Sequence, residues 1–169
     1  HDFFFVLLVQ SGAGVHEIDF TPHPIKDKSV FFLRPGQVHQ LQLKAGTQGY
    51  LMEFDTEFYH PSDTLSAQRL RKASNKNICE FEVNRFQKLS FILTNIFEEC
   101  QNKQEGYKDA IRAALELFFI DYIRQSDNPA SNASANNGYE MGRFEEFTEL
   151  LEKNIATHKQ VTYYTGEMN

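Results

Sequence analysis

Two of the six histidines in this sequence stand where an imidazole could do chemistry. His39 follows Pro35-Gly36 within the run FFLRPGQVHQLQL (31–43). Proline and glycine are normally expelled from strand interiors, so the pair marks a tight turn or a sheet edge. An imidazole just beyond such a turn can bind a divalent ion, hydrogen-bond a small molecule, or simply lie exposed. His16 alternates with Ile18 and Phe20 against Glu17 and Asp19, which puts it on the apolar side of a strand. There it is either a satisfied core residue or a ligand contact. His23, between Pro22 and Pro24, reads as a loop residue, and His60 and His158 read as surface groups at turns near helices.

Other chemistries find no support in the sequence. No Ser/His/Asp or Cys/His arrangement, glycine-rich phosphate loop or EF-hand spacing is present, and Gly12-Ala13-Gly14 reads as a hairpin turn. Cys79 and Cys100 lack any CxxC context, so free thiols in a reducing cytoplasm are expected rather than a zinc site. A net charge of −6 argues against a nucleic-acid-binding surface within these residues. The longest apolar run, residues 3–9, has a strand's length and no preceding basic region, so neither a membrane span nor a signal peptide is expected.

These residues need elements to hold them. Alternating apolar runs at 3–10, 15–20, 30–34, 38–44 and 49–54, punctuated by Gly and Pro turns, predict an antiparallel sandwich or small barrel. From Pro61 the period changes. Ser62-Asp63 caps a short helix, 77–83 returns as a strand, and Asn84 opens an amphipathic helix with Phe86, Leu89, Leu93, Ile96, Phe97 and Cys100 on one face. A second helix begins at Tyr107, and its stripe is wider than one partner would cover. Leu115, Phe118, Phe119, Tyr122 and Ile123 are accordingly expected at a homodimer interface. Residues 126–142 are rich in Ser, Asn, Ala and Gly and read as a polar linker. Beyond them, Phe144, Phe147, Leu150, Leu151 and Ile155 mark another amphipathic helix, and VTYYTGEMN starts a further one. Both ends look cut, so a fragment of a longer chain is expected.

The Pro-Gly segment resembles the second motif of the cupin barrels, in which a glycine precedes a metal-binding histidine by three residues, as Gly36 precedes His39. His1 aligns with the second histidine of the first cupin motif and Gly12 with its closing glycine. Departures are several. The motif's carboxylate position falls on Phe5 or Val6, its opening glycine on Lys28, its proline on Arg34 and its closing asparagine on Leu43. Two visible donors, His1 and His39, fall short of the three or four a stable site needs, so no metal and no cofactor are expected.

The order of parts is more specific than any one of them. A barrel carrying PGQVH, two amphipathic helices, a polar linker and then FEEFTELLEKN followed by VTYYT resembles the AraC/XylS family of bacterial transcription regulators. Phe144, Phe147, Leu150, Leu151, Glu152 and Asn154 match the first helix of that family's DNA-binding domain, and Val161, Tyr164 and Thr165 its second. The resemblance implies a mainly β-plus-α chain. Residues 1–125 would form a cupin-like regulatory and dimerisation domain, 126–142 the linker, and 143–169 the start of the helix-turn-helix domain. It implies a small-molecule effector bound inside the barrel, with His1, Phe5, His16, His39, Leu41 and Met52 as candidate contacts and Phe3 and Leu7 as further lining. It also implies promoter DNA as a partner, through recognition helices that lie beyond this chain. The expected protein is a cytoplasmic, homodimeric regulator and not an enzyme. A metal-dependent cupin enzyme, or a barrel that only dimerises, are the alternative readings.

Overall fold

Strand β1 (Phe4–Ser11) opens with six consecutive apolar residues, and a strand apolar on both faces must be covered on both. A computed structural model, which describes residues 3–61, 63–126, 147–148, 150–151 and 153–168, shows how. β1 lies between β4 (Ser29–Leu33) and β6 (Gln48–Phe54), with β7 (Ile78–Glu80) beyond β4. A second sheet has the order β3 (Thr21–Ile25), β2 (Gly14–Ile18), β5 (His39–Leu43). Every pairing is antiparallel. Phe5, Leu7 and Val9 join Ile18, Ile25, Phe31 and Leu33 in one buried cluster, the barrel core. Phe4, Val6 and Leu8 join the helices in a second, larger one. The described residues thus form a cupin-like β-barrel of seven strands followed by helices.

The helices cover the outer face of the first sheet. Asp63 caps α1 (Thr64–Ser74), accepting a hydrogen bond from the backbone N–H of Ser66 at 2.9 Å. α2 (Val83–Asn102) is capped at Glu82, two residues before the expected cap Asn84, and buries Phe86, Leu89, Ile92, Leu93 and Ile96. Phe97 and Cys100, expected on that buried face, are exposed. Among the described residues, α3 (Tyr107–Ser126) is the most deeply buried helix. Leu115, Phe118, Phe119 and Tyr122 have no exposed surface, because Phe32 of β4 meets Phe118, Phe119 and Tyr122 ring to ring at 5.7–5.8 Å. The wide stripe on α3 is therefore used up inside the chain's own core. These four residues offer a partner no surface, and Ile123 is half-buried against the same cluster.

Two strand expectations need correction. Residues 21–25 are not a loop but strand β3, paired with β2 through Pro22↔Glu17 and Pro24↔Val15. Proline is tolerated because β3 is an edge strand, where a missing N–H breaks no ladder. Phe20 does not continue the apolar face of β2. It sits with Asp19 at positive φ (65° and 47°) in the two-residue turn of the β2–β3 hairpin and is 83% exposed.

Cα packing divides the chain into two compact units, His1–Asn132 and Ala133–Asn169. The expected linker lies, Ser126 apart, outside the described residues, as do Phe144 and Glu152. In the second unit the described residues from 147 to 154 are helical, and a turn at 155–157 ends that helix before His158. Ile155 is exposed there rather than on the apolar face. A short helix, Val161–Glu167, follows, with Tyr164 buried against Phe147 at 6.0 Å and its hydroxyl donating to the carbonyl of His158.

Candidate ligand site on the inner barrel face

The Pro-Gly break is a built turn. Gly36 adopts φ 88°, a region that costs glycine little, and the Gln37 side chain accepts a hydrogen bond from the backbone N–H of Arg34 at 3.0 Å. The amide of Gln37 donates to Asp19 at 2.8 Å, and the other Asp19 oxygen accepts from the N–H of Val38 at 3.1 Å. The turn is thus pinned to the β2–β3 hairpin, and β5 starts at His39 in a fixed register, Ile18 opposite His39 and His16 opposite Leu41.

That register brings two histidines together on the barrel's inner face. His16 Nε2 and His39 Nδ1 lie 3.1 Å apart, so one ring donates to the other. Phe5 meets His39 at 4.7 Å and His16 at 5.6 Å, and Phe31 meets His16 at 4.9 Å. His16 is fully buried, and its Nδ1 has no hydrogen-bond partner among the described residues. Burial, then the neighbouring His39 and His23, lowers its pKa from 6.5 to about 4, and burial also lowers His39 and His23. The pair is neutral at pH 7.

Leu41 packs against the inner cluster, to which Leu7 belongs. Met52 does not face it. It pairs with Val6, and directly opposed residues share a face, so Met52 points to the helices and packs against their cluster. Phe3 is largely exposed, and His1 lies outside the described residues. The inner face also holds residues that were not expected there. His23 stands opposite His16, and Leu51 and Glu53 stand opposite Leu7 and Phe5. Their signal was the alternation in GYLMEF, whose Tyr50, Met52 and Phe54 go to the helices and leave Leu51 and Glu53 on the opposite, exposed side. β5 and β6 belong to different sheets, and at this open side Leu51 is 56% and Leu43 47% exposed.

The donor set does not fit the metal of the cupin motif. The facing nitrogens of His16 and His39 are spent on each other, Phe5 and Val6, one of which takes the motif's carboxylate position, carry no donor, and among the described residues no three donors gather. What the face can do is enclose an apolar body and offer a neutral imidazole pair and one carboxylate at its rim.

Comparison with known proteins agrees with this architecture. The family model described as "AraC-like ligand binding domain" matches residues 1–118. The crystal structure of the AraC-like transcriptional activator CuxR superposes with a TM-score of 0.52 at 15% identity, over 99% of this chain and 56% of that one. The chain therefore spans little more than half of that activator's length. No curated protein sequence matches. With the family model covering most of its residues, the chain belongs to the AraC family, and its first unit is the cupin-type, ligand-binding domain of such a regulator.

Proposed function

We propose that the barrel is the effector-sensing domain of a cytoplasmic transcription regulator, not an enzyme, and that it acts on promoter DNA through recognition helices outside this chain. The observation that carries this is the inner face itself. A family-matched barrel holds a neutral His16–His39 pair beneath exposed, inward-facing leucines, with no catalytic constellation among its described residues. Effector binding would favour one arrangement of the regulator over another by its differential affinity for the two. The test is a promoter-reporter assay of the full-length regulator beside a Leu41→Trp variant, which fills the barrel. Loss of the inducer response with DNA binding intact supports sensing, and an unchanged response refutes it. The 169-residue chain alone is expected not to retard promoter DNA that the full-length protein retards, since it carries −6 and, on this proposal, does not contain the recognition helices.

Dimerisation belongs to this proposal, on a different surface from the buried stripe. Phe91 of α2 and Leu117 of α3 are 65% and 57% exposed. The bond from Lys88 to Asp121, 3.0 Å, sets the register of the two helices and puts Phe91 and Leu117 at one level. Two exposed apolar side chains at one level of a helical hairpin suit a two-fold contact. Phe91→Glu with Leu117→Glu is expected to give a folded monomer by light scattering and circular dichroism. A double variant that stays dimeric excludes this face.

A further inference from the structure

We propose that the effector is an organic amine, bound as a cation with Glu53 as counter-ion and its apolar body against Leu43 and Leu51. The proposal rests on the sensing reading above and adds the ligand's chemical class.

The charge inventory of the inner face carries it. Strand register puts two carboxylates on this face among the described residues, Glu80 opposite Ser29 and Glu53 opposite Phe5. Glu80 already has a cation, Lys26 Nζ at 2.8 Å. Glu53, an exposed side chain, has none among the described residues, and its charge opposes the burial that lowers the His39 pKa. No lysine or arginine of the described strands shares this face. Both histidines of the pair are neutral at pH 7, so they supply no compensating positive charge.

An anionic effector entering here would meet the like charge of Glu53 with no lysine or arginine of the described strands on this face to offset it. A neutral one would leave Glu53 as it is. An ammonium gains a charge-assisted hydrogen bond to Glu53, and the Phe5 ring that already faces His39 at 4.7 Å lies on the same side. The leucines supply the rest. Leu43 and Leu51 flank the side where β5 and β6 do not pair, and half-exposed leucines facing inward suit the body of a small apolar molecule.

Calorimetric titration of the full-length regulator with phenethylamine, phenethyl alcohol and phenylacetate, which share one apolar body, tests the class. The amine is expected to bind about tenfold or more tighter than the alcohol, with phenylacetate weakest, the worth of one charge-assisted bond. Glu53→Gln, at an exposed site on an edge strand, should cost the amine about tenfold and leave the alcohol within about twofold. Phenylacetate binding as tightly as the amine, no amine binding, or an amine affinity untouched by Glu53→Gln overturns the proposal. If the alcohol or phenylacetate binds and Leu41→Trp abolishes that binding, sensing stands and only the amine class falls. If none of the three binds and Leu41→Trp also leaves the promoter response unchanged, both fall.

Discussion

Strand β1 turns Phe4, Val6 and Leu8 to the helices and Phe5, Leu7 and Val9 to the opposite sheet, and the two sides are finished differently. On the helix side the rings of Phe4, Phe32, Phe54, Phe118, Phe119 and Tyr122 interlock, and the Tyr122 hydroxyl donates a hydrogen bond to the carbonyl of Lys76 at 2.7 Å. On the inner side the same strand meets His16, whose Nδ1 has no partner among the described residues, a carboxylate with no cation among them, and half-exposed leucines. Half-exposed leucines bury less apolar surface than interlocked rings, so the inner side adds less to the stability of the domain than the helix side. Proteins tolerate such a shortfall where a site has work to do. The contrast separates the face that holds the fold from the face proposed to bind the effector.

The largest effect should come from breaking the closed side. Phe32→Ala removes a ring in contact with Phe4, Phe54, Phe118, Phe119 and Tyr122 and leaves a cavity, at a cost of about 4 kcal/mol. Leu41→Ala on the inner side removes a half-buried side chain and should cost about 1 kcal/mol. Urea denaturation of both variants measures the difference. Equal costs would mean that the inner face is packed as tightly as the outer one.

Acid should act on the inner side first. The pKa of His16 is about 4 in the folded chain against the ordinary 6.5 of an unfolded one, so on acidification the unfolded chain takes up the proton first. Its stability contribution is therefore intact above about pH 7 and falls as pH drops from 6.5 towards 4, by about 3 kcal/mol in full and about 1 kcal/mol by pH 5.5. His23 and His39 are lowered in the same direction and steepen the fall, while Glu53 opposes it at His39. Urea midpoints at pH 7.5 and 5.5 should separate in the parent and separate less in His16→Phe, where His23 and His39 remain. A parent with pH-independent midpoints over that range would mean that His16 is solvated.

Much of this is legible in the residues, and what is not has physical reasons. The barrel, the helices after it and the parity of His16 follow from alternation and from the change of period at Pro61. The stripe on α3 is wide in the structure as in the sequence, but width does not say whether a second surface belongs to another copy or to the chain's own sheet. The aromatic face of β4 takes it. Met52 reads as inward only because FFVLLV is apolar on both faces and gives no parity to its neighbour β6. β3 is hidden because TPHPI carries two prolines, and only its edge position makes them harmless. His23 and Glu53 are missed with those two strands.

A smaller effect probes the polar seam of the closed side. Tyr122→Phe keeps the ring stack with Phe118 at 5.9 Å but deletes the bond to the Lys76 carbonyl. The expected loss is about 1 kcal/mol in unfolding free energy, read from the urea midpoint. A loss as large as that of Phe32→Ala would show that the ring itself had moved.

The smallest predicted change has the opposite sign and lies on the inner sheet. Asp19 and Phe20 occupy the hairpin turn at φ 47° and 65°, where two-residue turns favour Asp-Gly. A left-handed conformation costs a non-glycine residue about 1–2 kcal/mol, and Phe20 recovers little of it in burial, being 83% exposed. Phe20→Gly relieves that strain and adds roughly 0.5–1 kcal/mol of unfolded-state entropy to be lost on folding. The net should be a gain of about 0.5 kcal/mol. The anchors of the turn do not involve the Phe20 side chain: Gln37 and the N–H of Val38 both bond Asp19. A raised urea midpoint with an unchanged slope is the expected result. A lowered midpoint would show that the exposed ring stabilises the hairpin through a contact that outweighs its backbone strain.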